Sequence, residues 1–514
     1  MSELSKTYSP HEVEKKWYQT WLENKSFKPK KGHAKKTFCL LMPPPNVTGK
    51  LHMGHALDQT CQDIIVRFKR MKGFETLWIP GKDHAGISTQ AVVEKMIYKE
   101  EKKTKHDLGR DEFVKRIWDW KEQYGNEITQ QLQKIGISCD WDYDTFTMDS
   151  IPNQAVRKVF TDLFNEGLIY QADYIVNWDP ILQSAISDAE VEHKEVKGAF
   201  YHLLYKVKDS KETLEIATTR PETLLGDTAV AVNPNDERFK HLIGKKAIVP
   251  ICNREVPIIG DEYVDMEKGT GCLKVTPGHD FNDFEIGKRH NLPIIIILNK
   301  DGTLNENGLE WTGINILKAR KSFVEKLEEL KVLVKTEEHL HQVGHGQRSD
   351  EIVEPMVSKQ WFLNTNSMAQ IAVEAVENEE MKFFPKNWEN TYFSWLREPK
   401  PWCISRQLWW GHQIPVYYCG KCKNTWASEI DPEECSKCQS KDFKQDDDVL
   451  DTWFSSGLFP LSTLGWPNKE AMKEKGFDKF YPTTTLVTGF DIIFFWVARM
   501  MMMCMKFHKH TPFA

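Results

Sequence analysis

The sequence has no apolar stretch long enough to cross a bilayer. Its longest such run, Ile492 to Met505, is interrupted by Arg499 and falls short of the ~20 residues a spanning helix needs. The first residues carry Glu and no apolar core of the kind a secretory leader has, so none is expected. Positive charge is not in excess: 68 Lys and Arg stand against 74 Asp and Glu, a formal net charge of −6. Any contact with nucleic acid therefore has to come from local patches. The lysine runs from Lys28 to Lys36 and from Lys99 to Lys105 read as solvated faces. There is no GxxxxGK[ST] loop for phosphates. The 11 cysteines are odd in number, and four of them form paired C-x-x-C units. That excludes a disulfide framework and points to a metal site in a reducing compartment, with the cytoplasm as the expected location. Apolar residues make up 40% and charged residues 28% of the 514 residues, which is ordinary for a globular protein of about three or four domains.

What is present is organised around Thr37 to His55. The run Thr37 to Met42 reads as a short buried strand. Pro43, Pro44 and Pro45 forbid its continuation, and Gly49 permits a tight approach. After His55 the pattern turns helical, with Leu57, Cys61, Ile64, Ile65 and Phe68 on one apolar face. Two histidines, His52 and His55, stand one turn apart at the helix start, where an anion such as a nucleotide phosphate is favoured. The plainer reading is a proline-rich connection with two surface histidines.

Pro43-Pro44-Pro45-Asn46-Val47-Thr48-Gly49-Lys50-Leu51-His52-Met53-Gly54-His55-Ala56 resembles the signature of the class I aminoacyl-tRNA synthetases, in the form carried by valine-specific members. The resemblance continues in blocks to the last residue. It implies that His52, Gly54 and His55 bind ATP phosphates and that His52 and His55 stabilise the transition state of adenylate formation. It further implies Mg²⁺ on the leaving pyrophosphate, valine and ATP as substrates, and tRNA(Val) as partner. A monomer is the default expectation, with no membrane partner.

The expected fold class is α/β: a Rossmann-like parallel-sheet catalytic domain interrupted by an inserted β-rich editing domain and a small zinc-binding module. The expected boundaries are 1–36 for an N-terminal helical extension, 37–195 for the first catalytic half, 196–340 for the insertion, 341–414 for the return, 415–445 for the zinc module and 446–514 for the second half. Ser9 to Phe27 reads as one amphipathic helix with Val13, Trp17, Trp21 and Leu22 on a face. Phe74 to Ile79 reads as a second strand. Asp83-His84-Ala85-Gly86 opens the next helix, and Phe113 to Ile135 forms a further one. Asp83 stands where open α/β sheets bind ligands and suits a substrate ammonium, although Asp also serves as a helix N-cap. The resemblance assigns it to the amino group of valine.

From Phe200 to about Val334 the texture is β-rich, with candidate strands at Phe200–Val207, Leu214–Ala217, Ala229–Val232, Ala247–Val249, Leu273–Val275 and Ile294–Leu298. Asp280 and Asp283 could share a helical face and hold an amine and a water, or serve as an N-cap and a first-turn acid. The resemblance places an editing site here, with Asp283 on the amino group of a wrong aminoacyl ester. Arg220, Thr223, Lys274, Thr276 and Asp280 would line the pocket and place the water. Threonine is nearly isosteric with valine. In the valine-specific synthetases themselves, rejection of threonine by a hydrophobic pocket is an established figure of about a hundredfold, so a second site is needed.

Cys419, Cys422, Cys435 and Cys438 form C-x2-C-x12-C-x2-C, a strong signal for one closed structural Zn²⁺ site. Asp179, Leu182, Gly346 and Ser349 match a second cysteine cluster of some family members and cannot form a thiolate site, so one zinc is expected. Trp402 to Pro415 is rich in aromatics that read as packing residues. Tryptophans beside Arg406 and His412 could instead stack on the tRNA acceptor end. Thr483 to Val487 reads as a strand followed by Thr488-Gly489-Phe490-Asp491 and a helix from Ile492. By resemblance Gly489 and Asp491 contact the adenosine ribose. Trp453, Ile492, Trp496 and Pro44 shape the valine pocket, and Asn46 orients the substrate.

The family's second signature, Lys-Met-Ser-Lys-Ser, does not occur in the sequence. The chain is therefore expected to be an N-terminal piece without that motif and the anticodon-binding domain. Alternatives are an isoleucyl- or leucyl-specific fragment, or a non-catalytic tRNA-binding protein on the same scaffold.

Overall fold

Phe38-Cys39-Leu40-Leu41 is buried along its whole length, as a strand covered on both faces of a parallel sheet must be. Cys39 and Leu41 enter one apolar core; Phe38, Leu40 and Met42 enter another. The computed structural model describes residues 7–29 and 36–514; most of the Lys28–Lys36 run and part of the expected 1–36 extension lie outside them. β1 (Thr37–Leu41) is the middle strand of three, between β2 (Glu75–Ile79) and β3 (Thr485–Leu486) and parallel to both. The register sets Leu41 beside Ile79 and Leu486. The carboxyl ends of all three strands thus open on one rim.

The chain forms two compact units, one from residues up to Tyr170 together with Trp361–Ala514, the other Gln171–Gln360. The first carries helices α1 (Pro10–Glu23), α2 (Met53–Met71), α3 (Gly86–Glu101) and α4 (Arg110–Lys134). On α1, Trp17 points outward at 49% exposure, contrary to the expected face. The helix is held through buried Tyr18, whose hydroxyl donates to Ile137 O at 2.7 Å and accepts from Trp141 Nε1 at 2.9 Å.

A second correction concerns α2. Its apolar stripe is exposed: Leu57 at 69%, Ile64 at 63% and Phe68 at 53%. The buried face holds Gln59, Gln62, Asp63 and Val66. Polar contacts dock this face, with Asp63 Oδ1 accepting from Ser138 N at 3.1 Å and Arg67 donating to Gly136 O at 2.6 Å.

The unit 171–360 contains a sheet with spatial order Cys272–Val275, Ala229–Val232, Glu255–Gly260, Lys246–Ile248, Val191–Val207, Leu333–Gly346; Thr213–Thr218 also pairs with Val191–Val207. Val191–Val207 and Leu333–Gly346 make a long antiparallel ribbon, with Val191 beside Gly346 and Leu203 beside Leu333. The unit is wider than the β-rich texture because Ile175, Phe284 and Val357 bury one another in a core of their own. Ile294–Leu298 forms no ladder, only a bridge from Leu298 to Leu304. Its backbone serves the neighbouring loop instead: Ile297 N donates to His279 Nε2 at 2.9 Å.

The last stretch also departs from expectation. Only Thr485–Leu486 is strand; a 3-10 turn at Phe490–Ile492 leads into a π-helical turn, Ile493–Ala498, before an α-helix at Arg499–His508. π turns are rare and cluster at functional sites. Among the described residues no helix is long and apolar enough to cross a membrane.

Candidate active site

Helix α2 begins at Met53, so His52 is its N-cap and His55 lies in the first turn. The two cap each other reciprocally. Gly54 N donates to His52 Nδ1 at 3.1 Å, and His52 N donates to His55 Nδ1 at 3.2 Å. Their ring centroids are 3.9 Å apart. Burial, then the neighbouring His52, holds the His55 imidazole below its ordinary range. A Cβ on Gly54 would sit 2.9 Å from the His52 ring, which explains the small residue between the histidines.

At the end of β2, Asp83 comes beside Asn46: Asp83 N donates to Pro45 O at 2.9 Å and Val47 N donates to Asp83 O at 3.1 Å. Asp83 is buried. Its Oδ1 accepts from Ala85 N at 2.7 Å and its Oδ2 from Ser456 Oγ at 2.5 Å. Burial pushes its carboxyl up to about 6. Asp83 is thus not the N-cap of α3, which is Ala85 in a left-handed conformation. Ser456 was not evident from sequence; it reaches Asp83 only because its short helix, Thr452–Ser456, packs there, with Thr452 Oγ1 accepting from Gly86 N at 2.9 Å.

Trp496 Nε1 donates to Ser456 O at 3.0 Å and the indole is buried in the core. Trp453 stacks on Phe495 with centroids 5.3 Å apart, and Pro44 and Ile492 are half-buried. Gly489 and Asp491 are exposed beyond β3. The Asp491 carboxylate lies 2.3 Å from where a Gly489 Cβ would be, so a larger residue there would displace that side chain. Arg406 and His412 are buried. Arg406 donates to the Cys403 and Ser405 carbonyls at 3.0 and 2.9 Å, and His412 bonds Thr147 O at 2.9 Å. Burial lowers His412 to about 3. Trp402 and Trp410 are buried with them, which excludes stacking of these two on an acceptor end, whereas Trp409 is half-buried.

In the unit 171–360 the six predicted residues form one connected network. Lys274 Nζ donates to Thr223 Oγ1 at 2.8 Å and Thr276 Oγ1 at 2.5 Å. Thr276 N donates to Asp283 Oδ2 at 2.8 Å. Asp280 is the N-cap of the helix Phe281–Arg289 and accepts from Asp283 N at 3.1 Å. Burial, reinforced by Asp280, raises the Asp283 carboxyl to about 7. Arg220 donates to His279 O at 3.0 Å and pairs with buried Glu354, which sequence did not single out. His279 is lowered to about 3 by burial and then by Arg220, and both its ring nitrogens are engaged.

Cys419, Cys422, Cys435 and Cys438 converge with their sulfurs all within 4.8 Å of one another, and with Cys419–Cys438 and Cys422–Cys435 at 3.6 and 3.7 Å. Four Zn–S bonds of ~2.3 Å imply sulfur separations of about 3.8 Å, so the cluster fits a tetrahedral ion. At the other cysteine-like positions, a Cβ on Gly346 would lie 2.5 Å from Asp179 Oδ2 and 2.7 Å from Ser349 Oγ. Leu182 N donates to Asp179 Oδ1 at 3.0 Å. The four positions do meet, and none carries a thiol.

A parallel sheet opening its carboxyl rim toward a histidine-capped helix, with a β-rich insertion, is the fold of the class I synthetases. It is shared with the LeuRS of Agrobacterium radiobacter K84, solved in a ternary complex with tRNA and LeuAMS (TM-score 0.51, 18% identity, 99% of this chain and 67% of that one). The profile described as tRNA synthetases class I (I, L, M and V) matches residues 16–514, and the chain belongs to that family. Relatives include the valine–tRNA ligase of Thermotoga maritima, 52% identical across 100% of this chain and 59% of its own length. That of Carboxydothermus hydrogenoformans is 53% identical across 99% and 57%. The chain thus spans somewhat under three fifths of the relatives it matches.

Proposed function

We propose that the chain carries the amino-acid activation and editing sites of a valine–tRNA ligase. The observation that carries this is the 52% identity to relatives of that name over the whole chain, together with the shared rim formed by β1, β2 and β3. In the proposed reaction a valine carboxylate oxygen attacks the ATP α-phosphorus, pyrophosphate leaves with Mg²⁺, and the valyl group passes to the terminal ribose of tRNA(Val). Asp83 holds the valine ammonium, with Asn46 beside it. Pro44, Trp453, Ile492 and Trp496 shape the side-chain pocket. His52, Gly54 and His55 meet the phosphates; Gly489 and Asp491 meet the ribose. Positioning and charge stabilisation carry the rate.

In the unit 171–360, Asp283 receives the ammonium of a threonyl ester. Arg220, Thr223, Lys274, Thr276 and Asp280 line the pocket where water adds to the ester carbonyl and the ribose oxygen leaves. The four cysteines hold one structural Zn²⁺. The decisive test is pyrophosphate exchange and thermal shift with valine, isoleucine and leucine, each with ATP. A response to valine above the other two is expected. A preference for isoleucine or leucine would refute the valine assignment.

A further inference from the structure

We propose that Asp227, braced by Tyr205, is a positioning residue of the pocket in residues 171–360, holding the Lys274 ammonium and the Thr276 hydroxyl in one geometry. This rests on the reading of that pocket as the hydrolytic site. Asp227 has no exposed surface, and both its oxygens are occupied. Oδ1 accepts from Thr276 Oγ1 at 2.6 Å and Lys274 Nζ at 3.2 Å; Oδ2 accepts from the Tyr205 hydroxyl at 2.6 Å. Its backbone is anchored too, with Asp227 N donating to Leu224 O at 3.0 Å and Arg254 donating to Asp227 O at 3.1 Å. With no exposed surface Asp227 meets no ligand directly, so it acts through its neighbours.

The consequence for those neighbours is specific. Lys274 has three ammonium protons and three oxygen partners: Thr223, Thr276 and Asp227. Thr276 accepts from Lys274, so its one hydroxyl proton is committed to Asp227. Thr276 is also the residue whose amide holds Asp283. Asp227 is therefore two bonds removed from the carboxylate proposed to receive the substrate ammonium. Space permits little slack, because a Cβ on Gly226 would already stand 3.0 Å from Thr276 Cγ2 and 3.1 Å from Ile295 O. Paired buried charges lose much of their geometry when one partner is removed.

The test uses the whole chain with Asp227→Ala and Tyr205→Phe. Lysines are acylated with acetic anhydride and mapped by mass spectrometry, and hydrolysis of threonyl-tRNA(Val) is followed in parallel. Labelling at Lys274 should rise at least about fivefold in Asp227→Ala and less in Tyr205→Phe, with exposed Lys206 and Lys246 unchanged as controls for the reagent and circular dichroism as the control for folding. The kcat of hydrolysis should fall about tenfold with KM unchanged. Unchanged labelling at Lys274, or unchanged kcat with increased labelling, overturns the proposal. If the unsubstituted chain hydrolyses nothing, the editing reading fails, while labelling alone still decides whether Asp227 holds Lys274. Should Asp227→Ala not fold, Tyr205→Phe, which removes a single hydroxyl, carries both measurements.

Discussion

Ser456 Oγ lies 2.5 Å from Asp83 Oδ2, across 373 positions of sequence. A carboxylate buried at the end of β2 is thereby held by a hydroxyl from the second half of the discontinuous unit. Deleting that donor leaves Asp83 with Ala85 N alone. A hydrogen bond to a charged group contributes about 1.5–3 kcal/mol, so Ser456→Ala should weaken valine binding roughly tenfold or more. Calorimetric titration checks this; an unchanged affinity would detach Ser456 from the amino-acid site.

The same carboxyl predicts a pH dependence. Burial raises Asp83 to about 6, and a valine ammonium pairs with its ionised form. Valine affinity should therefore fall as pH drops through 6, and the midpoint should move upward in Ser456→Ala, where the ionised form loses a donor. A flat profile between pH 5 and 7 would count against Asp83 as the ammonium partner.

His52 does two jobs that substitution can separate. It caps α2 through Gly54 N, worth about 1 kcal/mol of stability, and on the proposed function it faces ATP phosphates. His52→Asn keeps a capping acceptor; His52→Ala does not. Both should lower pyrophosphate exchange, by about a hundredfold, and leave valine affinity nearly unchanged, whereas only His52→Ala should lower the thermal midpoint. Exchange restored in His52→Asn would make the residue a cap and nothing more.

Asp283 links the second unit to pH. Its folded carboxyl sits at about 7 against an ordinary 3.8, so the fold favours the protonated form. That contribution is complete below about pH 4 and is lost as pH rises through 7. Asp283→Asn keeps the shape without the charge and should gain stability relative to the unsubstituted chain between pH 4.5 and 7.5. The gain is roughly several degrees in thermal midpoint, at about 2–4 °C per kcal/mol. Differential scanning at the two pH values decides it, and a difference that does not grow with pH contradicts the buried-carboxyl picture.

Metal analysis of the purified chain should give one zinc. Chelation, or Cys435→Ser, should release the hairpins around Cys419 and Cys438 and lower the thermal midpoint, because a closed thiolate site contributes directly to folding. Two zinc ions per chain would contradict the assignment.

Much of the architecture was legible from local pattern. The strand at Thr37–Leu41 announced itself by continuous apolar β-prone residues, the end of that strand by three prolines, and the four-cysteine cluster by its spacing. Where pattern misled, a polar or long-range contact had overridden it. The apolar stripe of α2 suggested a packing face, yet Asp63, Arg67 and Arg70 dock the opposite side through Ser138 and Gly136. Ile294–Leu298 looked like a strand, but its backbone is spent on His279.

The sequence by itself determined which chemistries were present: histidines at a helix start, acids at strand ends, four thiols in two knuckles. These follow from short-range stereochemistry, which a dozen neighbouring residues settle. Only the tertiary structure decided which groups share a site. Ser456 joins Asp83, and Asp227 and Tyr205 join Lys274, through contacts spanning tens to hundreds of residues. Such contacts depend on how buried surfaces close on one another, and no local spacing records that.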